Sequence, residues 1–274
     1  MGGWLGSHAT KSWGTGSQLF RVWLEPTNRA EVYPREMSNA DKVAIVTGAA
    51  RGIGRATARR LAEARYRVAM LDVQADELEM AALALEAGGP AVQRLVCSVT
   101  DERAVAEAFE RVVRIERRLD VLVNCAGIGH TASVQETPLS RWKEILDVNL
   151  TGMFVTCRTA IPWMLAGGSG IIINVVSIAG KTAFAGQGAY CASKWGALEF
   201  TRVLAAEVRT QGIRVTAVCP GAVDTRFWDA VDLPLDRRKM LSPDHVADAI
   251  QFVVSQPAEV STDELEILPA VGIL

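Results

Sequence analysis

From Lys42 onward the chain alternates short, almost wholly apolar runs with longer amphipathic stretches. The apolar runs predict buried strands at residues 43–47, 67–72, 92–97, 120–125, 171–176, 213–219 and 265–268. The stretches between them predict helices near residues 52–64, 75–87, 101–117, 140–165, 188–210 and 243–254. Continuous apolar strands need helices on both faces, so the pattern predicts an α/β fold with one doubly wound parallel sheet of about seven strands.

Residues 1–36 lack this alternation and carry no sustained helix or strand period. They do not begin with basic residues followed by an apolar block, so a secretory signal is not predicted. The absence of acidic residues from residues 1–24 leaves a transit peptide open. We predict a disordered N-terminal extension over residues 1–36 and a single domain over residues 37–274.

Charge and cysteine usage exclude several classes of partner. The formal net charge is −2, so no overall field favours nucleic acid or anionic lipid. No apolar run approaches the roughly 18 residues that span a bilayer, so no membrane partner is predicted. The cysteines form no C-x-x-C pair, and no Cys, His or carboxylate cluster has metal-ligand spacing. We therefore expect a cytoplasmic protein without a metal site.

A glycine-rich segment joins the first predicted strand to the first predicted helix. Residues 47–54 read T-G-A-A-R-G-I-G. Gly48, Gly52 and Gly54 let the backbone turn tightly and approach a pyrophosphate, which the N-terminus of the helix would bind. Such a string alone is weak evidence, but Asp72 ends the next predicted strand, where a carboxylate can accept hydrogen bonds from ribose hydroxyls. The segment therefore predicts a dinucleotide site.

The same carboxylate bears on the choice of dinucleotide. A 2′-phosphate within about 4 Å of Asp72 would be repelled by on the order of 4 kcal/mol at an effective dielectric near 20. Arg51 is the counter-argument, because a base in the glycine loop can reach a 2′-phosphate. Arg51 can equally pair with Asp72 or stack on adenine, so we predict NAD, with NADP less favoured.

A second group of polar residues suggests proton chemistry. Tyr190 and Lys194 lie four residues apart in a predicted helix and so share one face. The lysine cation would favour the phenolate and lower the pKa of Tyr190. Ser177 ends a predicted strand, at the sheet edge where ligands of parallel α/β folds bind. Asn149 lies within a predicted helix, where its amide has no packing reason to be.

The glycine loop, Y-x-x-x-K over residues 190–194 and their spacing resemble the short-chain dehydrogenase/reductase family, over about residues 42–268. The resemblance implies a Rossmann-like domain and an NAD(P)-dependent oxidoreductase that interconverts a secondary alcohol and a ketone, with a small alcohol or carbonyl compound as partner. It also implies roles for four residues. Tyr190 is the general acid/base, Lys194 lowers its pKa and holds the nicotinamide ribose, Ser177 positions the substrate oxygen, and Asn149 anchors a water in the proton path.

The resemblance extends to other cofactor contacts. Residues 124–127 read N-C-A-G and resemble the family's N-N-A-G, and Ser98 stands where the family usually carries an Asp near the adenine amine. Residues 220–225 resemble the segment that contacts the nicotinamide. The predicted cofactor contacts are Gly48, Arg51, Gly52, Ile53, Gly54, Asp72, Ser98, Val99, Asn124, Ala126, Gly127, Tyr190, Lys194, Pro220, Gly221, Val223 and Thr225.

Two alternative functions remain open at this point. A non-catalytic dinucleotide sensor would need the glycine loop and Asp72 but not Ser177, Tyr190 and Lys194. Within the enzyme class, a 3-oxoacyl carrier-protein reductase is the alternative. We expect the substrate pocket to be lined by residues 128–131, residues 179–184, Phe227 and Trp228.

The resemblance also implies a homotetramer or homodimer. The helices around residues 150–165 and 188–210 would pair across a two-fold axis. Phe200, Val203 and Leu204 are expected beyond the catalytic face of the second of these helices.

Overall fold

The sheet that the sequence predicts is present in the computed structural model, which describes residues 38–87, 92–230 and 236–274. Its strands are β1 (Val43–Thr47), β2 (Arg67–Asp72), β3 (Gln93–Val96), β4 (Val121–Asn124), β5 (Gly170–Val175), β6 (Ile213–Pro220) and β7 (Glu264–Ile267). All neighbours pair in parallel, in the order β3-β2-β1-β4-β5-β6-β7. The prediction of one doubly wound parallel sheet is confirmed.

Helices cover both faces of this sheet. They are α1 (Gly52–Glu63), α2 (Ala75–Glu86), α3 (Glu102–Glu116), α4 (Leu139–Leu146), α5 (Gly152–Gly167), α6 (Gly188–Val208) and α7 (Pro243–Val254). Apolar residues of α1, α2 and α7 pack on one face, and those of α3, α5 and α6 pack on the other. Every residue of β1 is buried as a result, which explains its unbroken apolar sequence.

The predicted helix over residues 140–165 is interrupted. A π-helical turn, Asp147–Thr151, lies between α4 and α5 and contains Asn149. Such turns occur frequently at functional sites. The apolar spacing that predicted one helix does not detect this single wide turn, because the backbone keeps α-helical φ and ψ at Leu146 and Gly152 on either side of it.

Sheet topology fixes where a ligand can bind. β1 lies between β2 and β4, so the chain leaves β1 in one direction and later returns to its other side. A crevice forms beyond the carboxyl ends of the strands at such a switch point. The glycine loop follows β1, Asp72 ends β2 and Ser177 follows β5, so all three come to this edge.

Four further expectations concern the N-terminal residues, membrane helices, metal ligands and the apolar residues of α6. The predicted disorder of residues 1–36 falls outside the described residues. None of the helices within the described residues has the length and apolar character that a membrane span requires. The same part of the chain holds no group of three His, Cys, Asp or Glu side chains placed to bind a metal ion. Of the apolar residues expected on the outer face of α6, Leu204 is instead buried against the sheet.

Candidate active site

A cavity of about 630 Å³ runs along the carboxyl edge of the sheet, from Asp72 at the end of β2 to Tyr190 in α6. It contains most of the residues predicted to bind a cofactor. Those that line it are Gly48, Arg51, Gly52, Ile53, Gly54, Asp72, Ser98, Val99, Ala126, Gly127, Tyr190, Lys194, Pro220, Gly221, Val223 and Thr225. Ser177 also lines it, whereas Asn124 and Asn149 do not.

The glycine loop after β1 leaves no room for a side chain at Gly48 or Gly54. A Cβ on Gly54 would lie 2.1 Å from the carbonyl oxygen of Gly48, and one on Gly48 would lie 2.8 Å from the backbone of Ala126. The backbone of Gly48 also has a φ of +62°, in the left-handed region that favours glycine. The first N–H groups of a helix have no helical acceptor, and at the start of α1 no capping side chain replaces it. These features fit the pyrophosphate of a dinucleotide.

Asp72 is tied to this loop. Its Oδ2 accepts a hydrogen bond from the backbone N–H of Ala50 at 3.0 Å, and its Oδ1 accepts one from that of Gln74 at 3.1 Å. Arg51 is exposed at the cavity and makes no hydrogen bond or ion pair with any described residue. The pair with Asp72 that the sequence left open is therefore not formed, and both charges face the cavity independently.

Tyr190, Ser177 and Lys194 meet at the other end of the cavity. Tyr190 lies in the first turn of α6, and its hydroxyl makes a side-chain hydrogen bond with Ser177. The Lys194 Nζ lies 5.7 Å from the centroid of the Tyr190 ring and donates a hydrogen bond to the carbonyl oxygen of Val175 at 3.0 Å. The four-residue spacing on α6 thus brings both side chains to one face, as the sequence predicts.

Burial governs the titration of both groups. It raises the pKa of Tyr190 to about 12, against a smaller lowering by the hydrogen bond with Ser177. Burial also lowers the pKa of Lys194 to about 8, because only 4% of this residue is exposed. The sequence predicts that Lys194 lowers the pKa of Tyr190. In the structure, desolvation of the Tyr190 hydroxyl is the largest influence on its pKa. The pKa therefore rises, opposite to the predicted direction.

Asn149 links the loop after β4 to the helical turn that carries Tyr190. Its Oδ1 accepts a hydrogen bond from the N–H of Ile128 at 2.8 Å, and its Nδ2 donates to the carbonyl oxygen of Ile128 at 2.9 Å. The same Nδ2 donates to Ser193 Oγ at 3.0 Å, and that hydroxyl donates to the carbonyl oxygen of Tyr190 at 2.7 Å. The side chain is fully buried and is used to hold the loop after β4 against the first turn of α6.

Comparison with known proteins supports the family that these motifs resemble. Residues 42–234 match the sequence model of the short chain dehydrogenases. The chain belongs to the short-chain dehydrogenase family. It is an oxidoreductase that acts on alcohols and binds NAD(P).

Relatives and a solved structure agree with this assignment. This short-chain dehydrogenase is 37% identical to the D-threitol dehydrogenase of Mycolicibacterium smegmatis, over 79% of this chain and 87% of the relative. It is 36% identical to the 2-(R)-hydroxypropyl-CoM dehydrogenase of Xanthobacter autotrophicus, over 79% and 92%. The alcohol dehydrogenase of Thermococcus sibiricus, solved with 5-hydroxy-NADP, superposes with a TM-score of 0.77 at 30% identity, covering 84% of this chain and 97% of that one.

The side chain of Asn124 does not line the cavity in this short-chain dehydrogenase. Its side chain is buried at the end of β4, where Nδ2 donates to Asn174 Oδ1 at 2.9 Å and Oδ1 accepts from Thr156 at 2.8 Å. Asn174 in turn donates to Thr201 at 2.9 Å. The reason is strand alternation, since the side chain of the last residue of β4 points into the core and not toward the crevice. The network joins β4 and β5 to α5 and α6.

The substrate end of the cavity is largely aromatic. Phe227 lies in a short 3₁₀ segment, Arg226–Ala230, with its ring centroid 5.3 Å from that of Tyr190. Trp228 packs edge-on against Phe227 and donates its Nε1–H to the carbonyl oxygen of Val223 at 2.8 Å. The Phe227 ring lies directly against the backbone of Gly129. A Cβ on Gly129 would be only 2.3 Å from Phe227 Cζ.

Sequence reasoning identified some lining residues of this end and missed others. Ile128, Gly129, Ala179, Phe184, Phe227 and Trp228 line the cavity as expected, whereas His130, Thr131 and residues 180–183 do not. The residues of the whole cavity that it missed include Cys97, Arg141, Glu144, Gln187, Ile273 and Leu274. Arg141 and Glu144 lie on α4, which reads in the sequence as an ordinary amphipathic helix. No local signal shows which of its polar residues face a cavity.

Proposed function

We propose that this protein interconverts a small secondary alcohol and its ketone, with Tyr190 as the general acid/base and NAD(H) as the preferred cofactor. One observation carries the proposal. The hydroxyl of Tyr190, its partner Ser177 and the ammonium of Lys194 lie in the same cavity as the glycine loop. A dinucleotide held at that loop and a substrate at Tyr190 would therefore share one space.

Each residue would have a distinct part in the proton chemistry. In alcohol oxidation, Tyr190 accepts the hydroxyl proton of the substrate at Oη, and in ketone reduction it returns that proton. Ser177 orients the substrate oxygen toward Tyr190. When bound, the nicotinamide supplies the hydride acceptor for oxidation and the donor for reduction. Lys194, held by Val175, contributes positive charge near the Tyr190 ring.

Asn149 supports this chemistry by position. Because its amide is hydrogen-bonded to Ile128 and Ser193, it fixes the loop after β4 and the first turn of α6 relative to each other. A water in the proton path would therefore bind to a group other than the side-chain amide of Asn149, which is already hydrogen-bonded.

The preference for NAD rests on the two charges at the adenine end. Asp72 has a fixed orientation, because both of its oxygens accept backbone hydrogen bonds. Arg51 is exposed and unpaired among the described residues, so it does not neutralise Asp72. A 2′-phosphate would meet the fixed carboxylate, whereas ribose hydroxyls could donate to it.

The substrate class follows from the size and lining of the other end. Phe227 and Trp228 restrict the space above Tyr190 and make it partly apolar. The relatives are named for D-threitol and for 2-(R)-hydroxypropyl-CoM, both of which carry hydroxyl groups. We propose a substrate of similar size, with a secondary hydroxyl or its ketone as the reacting group.

The decisive experiment removes the Tyr190 hydroxyl. Cofactor oxidation is measured over a panel of small ketones, keto esters and a 3-oxoacyl thioester, and the best substrate is taken forward. Tyr190→Phe should lower kcat by about 10²–10⁴-fold and leave cofactor affinity unchanged, because the lost group acts on a proton. Tyr66→Phe is the matched control, since Tyr66 is buried away from the cavity.

Three outcomes distinguish the alternatives. Wild-type turnover by Tyr190→Phe would contradict the proposed mechanism. Cofactor binding without turnover of any compound in the panel would favour the dinucleotide sensor. Turnover of the 3-oxoacyl thioester alone would favour the carrier-protein reductase.

A further inference from the structure

An arginine from α4 reaches the substrate end of the cavity. Arg141 lines the cavity and donates a hydrogen bond from one guanidinium nitrogen to the carbonyl oxygen of Gly129 at 2.8 Å. Gly129 lies directly under the ring of Phe227, which in turn packs on Tyr190. Arg141 therefore belongs to the substrate side of the cavity, separated from Tyr190 by the Gly129–Phe227 contact.

The other cations that line the cavity are differently placed. Arg51 belongs to the glycine loop, and Arg226 pairs with Glu77 of α2 at 2.7 Å. Lys194 is buried, lies 5.7 Å from the centroid of the Tyr190 ring and donates to the carbonyl oxygen of Val175. Arg141 is thus the cation available to the part of a substrate that extends beyond Tyr190, among the residues that the structure describes.

Its guanidinium has unused hydrogen-bonding capacity. A guanidinium carries five N–H donors in a planar fork. Arg141 uses one on Gly129 and one on Glu144 Oε2, at 2.7 Å, and the remaining donors have no acceptor among the described residues. The bond to Gly129 fixes one edge of the group, so the fork is held in orientation before a ligand arrives. A planar fork of this kind matches a carboxylate.

Glu144 is the competing charge in this region. It lies one turn after Arg141 on the same face of α4 and also lines the cavity. About half of its side chain is exposed, at 54%, and exposed pairs of this spacing contribute only a few tenths of a kcal/mol. Glu144 can therefore turn to solvent when another carboxylate approaches Arg141.

We propose that Arg141 is an anion-binding subsite, and that the protein prefers alcohols and ketones bearing a carboxylate remote from the reacting carbon. This inference rests on the proposed function, because the subsite belongs to the same substrate pocket. It specifies that the substrate carries a negative charge, a property that the chemistry at Tyr190 does not determine. The carboxylate would bind the free N–H groups of Arg141 while the carbonyl oxygen lies at Tyr190 and Ser177.

The test compares keto acids with their uncharged methyl esters. The substrates are 4-oxopentanoate, 5-oxohexanoate and 6-oxoheptanoate, each beside its ester, so chain length probes the span from Tyr190 to Arg141. The quantity measured is the ratio of kcat/KM for acid over ester. Arg141→Gln should lower this ratio about tenfold or more, the range expected for losing a hydrogen bond to a charged group.

Two further variants control for charge and for folding. Glu144→Gln should raise the acid-over-ester ratio, because it removes the competing carboxylate and keeps Arg141. Lys143→Gln removes the same charge as Arg141→Gln from the same helix, but Lys143 is exposed and does not line the cavity, so the ratio should not change. A response to Glu144→Gln remains measurable even if Arg141→Gln folds poorly.

The outcomes separate this inference from the proposed function. If the esters are reduced and neither Arg141→Gln nor Glu144→Gln changes the ratio, the subsite is refuted while the proposed function stands. An equal effect of Lys143→Gln would refute it too, since the response would then reflect long-range charge. If no member of the series or of the wider ketone panel is turned over, the proposed function itself fails.

Discussion

Tyr190 shows how a single residue is subject to opposed influences. Burial raises its pKa to about 12, and the hydrogen bond with Ser177 opposes that shift. Burial penalises the phenolate because charge is poorly solvated there. The protein's own groups therefore keep Tyr190 protonated at neutral pH, which suits proton donation to a ketone. Proton abstraction from an alcohol needs an additional positive charge close to the phenol.

The ionisation of Tyr190 can be followed directly. In the protein alone, the phenolate absorbance of Tyr190 should appear above the ordinary pKa near 10, because burial favours the neutral form. Oxidised NAD carries a positive nicotinamide, so its binding should move the titration to lower pH. The measurement is the difference in ultraviolet absorbance between wild type and Tyr190→Phe, with and without NAD. A titration in the protein alone below the ordinary value would contradict the dominance of burial.

At Asp72 a single carboxylate should decide the cofactor. Asp72→Ser removes the fixed negative charge, and we expect the ratio of kcat/KM with NAD over that with NADP to fall at least tenfold. The repulsion that disappears is on the order of 4 kcal/mol before screening. Asp76→Ser is the matched control, because Asp76 is exposed on α2 and does not line the cavity. A wild-type preference for NADP of tenfold or more would show that Arg51 has the larger influence.

At the scale of elements, the 3₁₀ segment after β6 and the loop after β4 close the substrate end together. Their contact is the ring of Phe227 on Gly129, and it is tight. The segment is also held by Arg237, whose guanidinium donates to the carbonyl oxygen of Thr225 at 2.6 Å and to Asp229 at 2.9 Å. The position of Phe227 over Tyr190 is therefore set by two loops distant in sequence.

This contact predicts a non-additive pair of substitutions. Gly129→Ala places a methyl group where the Phe227 ring lies, so the ring must move away from Tyr190 and KM should change more than thermal stability. In a Phe227→Ala background the same Gly129→Ala should have little further effect, because the obstructing ring is gone. The coupling is measured as a double-mutant cycle on kcat/KM. Simple additivity of the two effects would show that the contact does not position the ring.

The sequence predicts most elements of this structure but not how they meet. Apolar periodicity located both ends of each strand from β1 to β7 to within one residue, because strands of a parallel sheet covered on both faces are largely apolar. The sequence could not show that the side chain of Asn124 lies in the core while Ala126 and Gly127 line the cavity, because a motif does not specify side-chain direction. Nor could it predict the π-helical turn at Asn149 or the approach of Arg141, which depend on packing between distant elements. The direction of the Tyr190 pKa shift also depends on burial.

At the scale of the whole molecule, exposed apolar side chains remain on the two long helices α5 and α6. Phe154, Trp195 and Val203 are all at least partly open to solvent there. Groups of such residues commonly mark protein interfaces. We therefore retain the prediction of a homodimer or homotetramer in which these helices pair across a two-fold axis.

Light scattering tests this assembly. The wild-type protein should have the mass of a dimer or tetramer at micromolar concentration, and Trp195→Asp should shift it toward smaller species, because a buried unpaired charge opposes association. Met80→Asp is the control, since Met80 is 70% exposed but lies on α2, on the other side of the sheet. A monomer mass for wild type, or an equal loss of mass in both variants, would refute the proposed interface.

The position of Trp228 gives the enzyme an internal optical signal. Of the tryptophans that the structure describes, Trp228 alone lines the cavity, where its indole is fixed by the bond to Val223 and by the Phe227 ring. Indole emission overlaps the absorption of reduced nicotinamide, so a reduced cofactor in this cavity would quench Trp228 by energy transfer. Stopped-flow fluorescence could therefore time cofactor arrival and departure without any label. The loss of that signal in Trp228→Phe would identify its source.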